Sequence, residues 1–275
     1  MVNSGAASAA PPVVSTESSL HAARWIGFTT IIIREYSRIV RIWGQTLVPS
    51  AVTAILYFVI FGSLIGRRVG QMGGFDYMQY IAPGLIMMSV ITNSYGNTVS
   101  SFLGAKFGKH IEELLVSPLP NWIILSGYAA GGVLRGLMVG AVVTIVSLIF
   151  ARLPVQHLAL AIAAVLITSL VFSLGGFINA VFGKNFDQIN WIPAFVLTPL
   201  TYFGGVFYSV SMLPPWARAL SHVNPILHMV NAFRYGFLGV SDVSVAGAFA
   251  IMLALVVVMF LVALNLMNRG VGIRD

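Results

Sequence analysis

The side chains of this sequence that could carry out chemistry do not assemble into a catalytic site. Its five histidines are far apart and include neither a His-Glu-x-x-His motif nor another metal-ligand spacing. The segment 104–110 resembles a phosphate-binding loop, but only three residues separate its glycines, and His110 follows Lys109 where Mg²⁺ binding needs Ser or Thr. Cysteine is absent, which excludes thiolate catalysis and Cys-ligated metals. We therefore expect no catalytic residue, no metal site and no cofactor bound by this chain.

Neutral polar groups are the main chemical feature of the apolar stretches. Asn93, Asn97 and Ser101 are spaced by four residues and therefore share one face of a helix. They could hydrogen-bond to neighbouring helices or contact a substrate, and both interpretations stay open. No Asp or Glu falls within an apolar stretch, so a proton- or sodium-coupled relay lacks its usual carboxylate.

The polar loop 104–121 contains a short helical pattern. Residues 109–115 predict two helical turns, which Ser117 and Pro118 terminate. The helix could pack on lipid headgroups or contact a protein partner. The adjacent acids Glu112 and Glu113 suit an anionic inner leaflet poorly, which favours the protein partner.

The composition requires these residues to be positioned by membrane helices. Of the 275 residues, 58% are hydrophobic and 8% are charged, whereas a soluble domain averages about 25% charged residues. The mean hydropathy of +0.91 agrees. The net charge of +7 forms no compact Lys/Arg run, so we expect a lipid membrane rather than nucleic acid as the partner.

Six segments are long and apolar enough to cross a bilayer, which takes roughly 20 residues each. We predict an all-α integral membrane fold with a disordered tail at 1–20 and an amphipathic interfacial helix at 21–43. Polar residues and a proline in 223–240 predict a non-spanning, re-entrant hairpin at 209–242. Nine Lys and Arg residues on the side of the termini against five on the other place both termini in the cytoplasm. The predicted spans are 45–66, 77–103, 122–151, 157–182, 191–208 and 246–267.

Arg135 lies within the third predicted span. An arginine at mid-bilayer depth would indicate function. If the apolar part of the span begins at Gly136, however, Arg135 lies at the cytoplasmic interface and snorkels towards it, and we prefer this interpretation.

Several segments in their order and spacing resemble the ABC-2 type transporter permeases, most closely the YadH-like branch of bacterial inner-membrane permeases. The resemblance covers residues 20–275. The matching text is RIWGQTLVPSAVTAILYFVIFGSLIG (41–66), YMQYIAPGLIMMSVITNSYGNTVSSFLGAKF (77–107), HIEELLVSPLP (110–120), FVLTPLTYFGGVFYSVSMLPP (195–215) and LSHVNPILHMVNAFRYGFLG (220–239).

This resemblance implies a half-transporter of the bacterial inner membrane that works as a homodimer with two separate ATPase subunits, which bind ATP and Mg²⁺. The substrate of such an exporter would be hydrophobic or amphiphilic: a lipid, a glycolipid or a drug-like molecule. The residues implied to contact the ATPase are Arg34, Glu35, Arg38, Lys109, His110, Glu112 and Glu113. Those implied to line the translocation path are Tyr57, Phe61, Asn93, Asn97, Thr198, Thr201 and Tyr202.

Two other function classes are alternatives. A secondary transporter or channel without an ATPase partner would be favoured by an intramembrane carboxylate or an internal repeat. An intramembrane enzyme would need a paired Asp, a Ser/Lys pair or a His cluster at membrane depth. The sequence offers none of these features.

Overall fold

The computed structural model describes residues 16–111, 116–117 and 119–272. The first helix, α1 (Thr16–Arg41), is followed after a turn at Ile42 by α2 (Trp43–Ile60), which continues as a π-helix (Phe61–Gly66) and a last turn (Arg67–Val69). A short hairpin of β1 (Gln71–Met72) and β2 (Phe75–Asp76) leads into α3 (Tyr77–Phe107). Then come α4 (Asn121–Phe150) and α5 (Leu158–Phe182).

The second half of the chain begins with a broken helix. It consists of α6 (Phe186–Ile192), a π-helix (Pro193–Leu197) and α7 (Thr198–Tyr202). A 3₁₀ turn (Val210–Met212), α8 (Pro215–Val223) and α9 (Pro225–Leu238) follow, and α10 (Val245–Arg269) is last. Helix α3 is the centre of the bundle and packs most extensively against α4 and α5.

Small residues bring these three helices together. A Cβ at Gly132 of α4 would overlap hydroxyls of Thr98 and Ser173, and a Cβ at Gly136 would overlap the hydroxyl of Ser94. Such small-residue contacts allow close helix approach in membranes, where no hydrophobic force drives helices together.

The N-terminal helices form a rod along α4. Ile31 packs on Gly127 and Glu35 on Gly131, so contacts advance by four residues on both helices and the two run in the same direction. Farther along, Phe58 of α2 stacks on Phe150 at 5.3 Å between ring centroids. Helix α1 thus lies beside the first half of α4, and α2 beside the second half.

In the described part of the chain, four helices are long and apolar enough to cross a membrane by length and composition: α2, α4, α5 and α10. These match four of the predicted spans. Helix α3 has 31 residues and includes the polar row that lowers its hydropathy. The predicted span 191–208 is broken, because Pro193 and Pro199 each lack a backbone donor and the chain leaves helical geometry after Tyr202.

Two predicted boundaries need correction. The tail predicted at 1–20 is too long, because Thr16 already begins α1, and the helix predicted at 21–43 breaks at Ile42. The regular structure of the described residues agrees with the predicted all-α fold apart from one small hairpin, in which β1 pairs with β2. Gly73 and Gly74 both have positive φ, 59° and 84°, as a two-residue hairpin turn of the primed type requires.

The polar loop after α3 begins with a sharp reversal. Lys109 has a φ of 57°, in the left-handed region, and the chain is helical again at His110. Ile111 is buried, whereas Lys109 and His110 are exposed. Glu112 and Glu113, predicted on this short helix, lie outside the described residues.

Candidate functional site

Glu35 is the buried charge at the centre of the first candidate site. It lies four residues from Ile31 and from Ile39, on the face of α1 that packs against the bundle, and only 1% of it is exposed. Its Oε2 accepts a hydrogen bond from Arg38 Nη2 at 2.8 Å. Its Oε1 accepts a hydrogen bond from the Ser101 hydroxyl of α3. The carboxylate therefore joins α1 to the central helix.

Arg38 and Asn97 complete this network. Arg38 Nη2 also donates to Asn97 Oδ1 at 2.8 Å, and Asn97 Nδ2 donates to Glu35 Oε2 at 3.5 Å. Gly131 of α4 provides the space, because a Cβ there would lie 2.7 Å from Glu35 Cγ. We call Glu35, Arg38, Asn97 and Ser101 the Glu35 network. It fixes α1 against α3 through side-chain hydrogen bonds.

Two further arginines flank the network. Arg34 Nη2 donates to the hydroxyl of buried Tyr128 at 2.8 Å, and its guanidinium lies 5.5 Å from the centre of that ring. Arg135 is one helical turn beyond Gly131, within electrostatic range of Arg38. Of these three arginines, Arg38 alone contacts the Glu35 carboxylate, while Arg34 bonds to Tyr128 and Arg135 lies near Arg38.

Of the seven residues predicted to contact an ATPase, one is buried, four are partly or fully exposed, and two lie outside the described residues. We expected Glu35 on a contact surface, but the structure buries its carboxylate because the stripe of α1 that includes it faces α3 and α4. Arg34 is exposed and Arg38 is partly exposed beside it. Lys109 and His110 are exposed at the start of the loop helix, and Glu112 and Glu113 are not described. Contact of these residues with an ATPase stays a prediction.

The second candidate site is a cleft along one face of α3. On this otherwise largely buried helix, the partly or fully exposed residues Met88, Thr92, Gly96 and Ser100 follow one another at four-residue spacing. A cavity of about 350 Å³ lies between this stripe and the α6–α7 segment. A second cavity, of about 300 Å³, lies between α3 and α2, and Met88 and Thr92 line both cavities. We call the two cavities together the cleft.

Four aromatic rings gather beside the cleft. Phe207 stacks on Phe61 at 4.8 Å and on Tyr202 at 5.8 Å, and lies 5.6 Å from the ring of Tyr57. The Tyr77 hydroxyl donates to the Phe207 carbonyl at 3.2 Å and holds this segment against α3. Phe207 was not predicted, because its position depends on the chain reversal after α7. We call Tyr57, Phe61, Tyr202 and Phe207 the aromatic cluster.

The residues predicted to line a translocation path are partly brought together. Asn97 does not line the cleft, because it is fully buried in the Glu35 network. Asn93 does, and its amide donates to Ser50 of α2 at 3.2 Å. Of the others, Thr198 and Thr201 line the α6–α7 cavity. Tyr57 lines the α2 cavity and shares the aromatic cluster with Phe61 and Tyr202.

A second buried charge, Arg234 of α9, organises the opposite end of the bundle. It is fully buried, donates to the Gly205 carbonyl at 2.6 Å and lies 4.1 Å above the Tyr80 ring. Nearby, Asp242 accepts hydrogen bonds from the hydroxyls of Ser209 at 2.7 Å and Tyr80 at 3.2 Å. These contacts hold the turn after α7 against α3.

Comparison with known proteins gives this architecture a family. The model of the ABC-2 type transporter family matches residues 27–238. The chain belongs to the ABC-2 type transporter family. That match begins within α1 and ends at the last residue of α9, so it includes the Glu35 network, the cleft and Arg234.

Relatives of this ABC-2 chain include transport permeases. The inner membrane transport permease YadH of Escherichia coli (strain K12) is 52% identical over 251 residues, which are 91% of this chain and 98% of the relative. Nodulation protein J of Rhizobium leguminosarum bv. viciae is 24% identical over 216 residues, 78% of this chain and 83% of the relative. Nodulation protein J of Neorhizobium galegae is 24% identical over 228 residues, 82% and 86% of the two chains.

ABC-2 membership accounts for the absence of catalytic motifs from the sequence. Permeases of this family generally work with an ATPase partner, so the permease itself needs no nucleotide site. The chain is thus a multi-pass membrane permease of the ABC-2 type.

Proposed function

We propose that this chain is the membrane-spanning subunit of an ATP-driven exporter in the bacterial inner membrane. Two copies would work with two separate ATPase subunits to move a hydrophobic or amphiphilic molecule out of the cytoplasm or the inner leaflet. The observation that supports this proposal most directly is the exposed stripe on α3. A central helix with one open face, between two cavities, is suited to line a path that a second copy completes.

The lining of the cleft favours an amphiphilic substrate. Apolar side chains such as Met88 and Leu197 alternate with the hydroxyls of Thr92 and Thr198 and the amide of Asn93. No Asp, Glu, Lys or Arg lines either of the two cavities in the described part of the chain. Apolar walls with a few oriented polar groups are typical of small-molecule sites.

Six crossings fit the lengths of the helices. Helix α3 has 31 residues and would be about 46 Å long at 1.5 Å per residue. The segment from α6 through α7 would be about 25 Å long by the same rise. Added to α2, α4, α5 and α10, these two segments make six spans and place both termini on one side, the cytoplasm by the positive-inside rule. Helix α9, with 14 residues, is too short to cross and fits an external re-entrant element.

Two elements would transmit movement of the ATPase to the cleft. The loop helix predicted at 109–115 lies in the sequence between α3 and α4, so its displacement would move both. The Glu35 network ties α1 to α3 at a second point. Binding of ATP to the partner would then shift the permease between two states that differ in affinity for the substrate.

The absence of cysteine from the native sequence allows a direct test of the paired arrangement. Thr92→Cys places a thiol on the exposed stripe, and Ile145→Cys places one on an exposed position of α4 that lines neither part of the cleft. With a short bifunctional thiol reagent in membranes, Thr92→Cys should give a covalent dimer and Ile145→Cys should not. Equal yields would contradict a dimer closed over the cleft.

The energy source needs its own experiment. The chain, co-expressed with an ATPase and reconstituted in vesicles, should increase ATP hydrolysis in response to a member of a lipid and drug panel. Cross-linked Thr92→Cys protein should lose that response. Substrate movement that continues without an ATPase or ATP would instead support the alternative, a secondary transporter or channel.

A further inference from the structure

Arg38 of the Glu35 network and the flanking Arg34 and Arg135 have three positive charges, and the described residues pair them with one carboxylate. Glu35 is the only carboxylate paired with Arg34, Arg38 or Arg135 in the described part of the chain. Arg135 makes no hydrogen bond and no ion pair there, and its Nε and that of Arg38 are enclosed without an acceptor. Charged groups in such surroundings are costly unless they are paired. We call Arg34, Arg38 and Arg135 the arginine cluster.

The position of the arginine cluster relative to the membrane follows from the packing of α1 and α2 along α4. Arg38 precedes Trp43, the first residue of the candidate span α2, by five residues, or about 7 Å of helix. Because α1 and α4 run side by side in the same direction, Arg135 lies at nearly the same level as Arg38. With α2 crossing the membrane from Trp43, this is the depth at which lipid headgroups meet the end of the span.

The arginine cluster is also open on one side. Arg34 is exposed, and Arg38 and Arg135 are partly exposed, whereas Glu35, the partner of Arg38, faces inward. None of the three arginines lines either part of the cleft. A molecule that binds them would therefore lie outside the path of the substrate, against the outer surface of α1 and α4.

We propose that the arginine cluster binds the phosphate of an anionic lipid headgroup. Guanidinium groups form paired hydrogen bonds to phosphate oxygens, and a phosphate here would supply the missing negative charge. Basic pockets between membrane helices at this depth are typical sites for anionic lipids. With the termini in the cytoplasm this lipid is in the inner leaflet. It would hold α1 against α4 without being transported.

The test uses the purified full-length chain in nanodiscs of phosphatidylcholine with increasing phosphatidylglycerol, and native mass spectrometry to measure retained lipid. Arg135→Gln should weaken phosphatidylglycerol retention about tenfold, the effect of losing one charge-assisted hydrogen bond. Arg34→Gln, at an exposed position that folding tolerates, should weaken it similarly. Arg41→Gln, an exposed arginine on the same helix outside the arginine cluster, should not.

Three results would overturn the proposal. In the first, the wild-type chain retains phosphatidylglycerol no better than phosphatidylcholine, or Arg41→Gln weakens retention as much as Arg135→Gln does. In the second, millimolar inorganic phosphate displaces the lipid, which would show that the free anion is the ligand. In the third, the variants lose the ATPase partner while lipid retention is unchanged, which would identify a protein contact. Since retention is measured on the permease alone, a failed transport proposal would leave this result unaffected.

Discussion

Replacing Glu35 by alanine should destabilise the protein more than any other single change on α1. The carboxylate is almost fully buried and is held by Arg38, Asn97 and Ser101. Its removal leaves Arg38 without a counter-charge and close to Arg135, so repulsion is added to the lost hydrogen bonds. Breaking a buried pair by removing one partner costs about 3–5 kcal/mol.

The expected loss can be measured by thermal unfolding in detergent with intrinsic fluorescence. At about 2–4 °C per kcal/mol for a chain of this size, the midpoint should fall by about 6–20 °C. Glu35→Gln keeps an acceptor for Ser101 but not the charge, and should give an intermediate loss. Ser37→Ala, two residues away and exposed, is the control and should change little. If Glu35→Ala unfolds within about 2 °C of the wild-type chain, the Glu35 network does not hold α1 in place.

Two other predictions concern helix packing and coupling. Gly132→Ala should lower the free energy of unfolding by about 1–3 kcal/mol, because the new methyl overlaps the hydroxyls of Thr98 and Ser173. Gly96→Ala is the control and should be tolerated, because no atom lies within 4 Å of its Cβ. Equal midpoints of the two variants in thermal unfolding would refute the close packing at Gly132. The double change Glu112→Ala with Glu113→Ala, at unchanged expression, should leave ATP hydrolysis but abolish transport in vesicles. Normal transport by this variant would contradict the coupling role of the loop helix predicted at 109–115.

The helices that cross the membrane were predictable because their signal is local. Runs of apolar residues identified α2, α4, α5 and α10, and the four-residue spacing placed Asn93, Asn97 and Ser101 on one face. The structure confirms the shared face, since Asn93 reaches α2 while Asn97 and Ser101 reach α1. All three residues therefore make hydrogen bonds to neighbouring helices, and because Asn93 also lines the cleft, its contact with a substrate stays a prediction. What spacing could not reveal is which neighbouring helix the face would meet.

Other features depend on contacts that no local pattern determines. Phe207 joins the aromatic cluster only because the chain reverses after α7, where Gly205 has a φ of 68°. Arg234 was placed in a non-spanning hairpin, yet the acceptor that holds it, the Gly205 carbonyl, lies 29 residues earlier in the chain. Pairings across such distances follow from the packed fold and not from the sequence around either residue.

The burial of Glu35 was partly predictable, because the sequence around it contains a local signal. Ile31 and Ile39 stand four residues before and after it, so an acid interrupts the apolar stripe of an amphipathic helix. A charge at such a position must find a partner inside the protein, since lipid and apolar side chains offer none. The polar row of α3 needed hydrogen-bond partners for the same reason. Polar groups on two packed helices can provide these partners for each other. The Glu35 network is such an arrangement, because the acid of α1 and the polar row of α3 bond to one another. In an amphipathic helix that precedes a membrane span, an acid on the apolar face is therefore better interpreted as an internal attachment than as a docking contact.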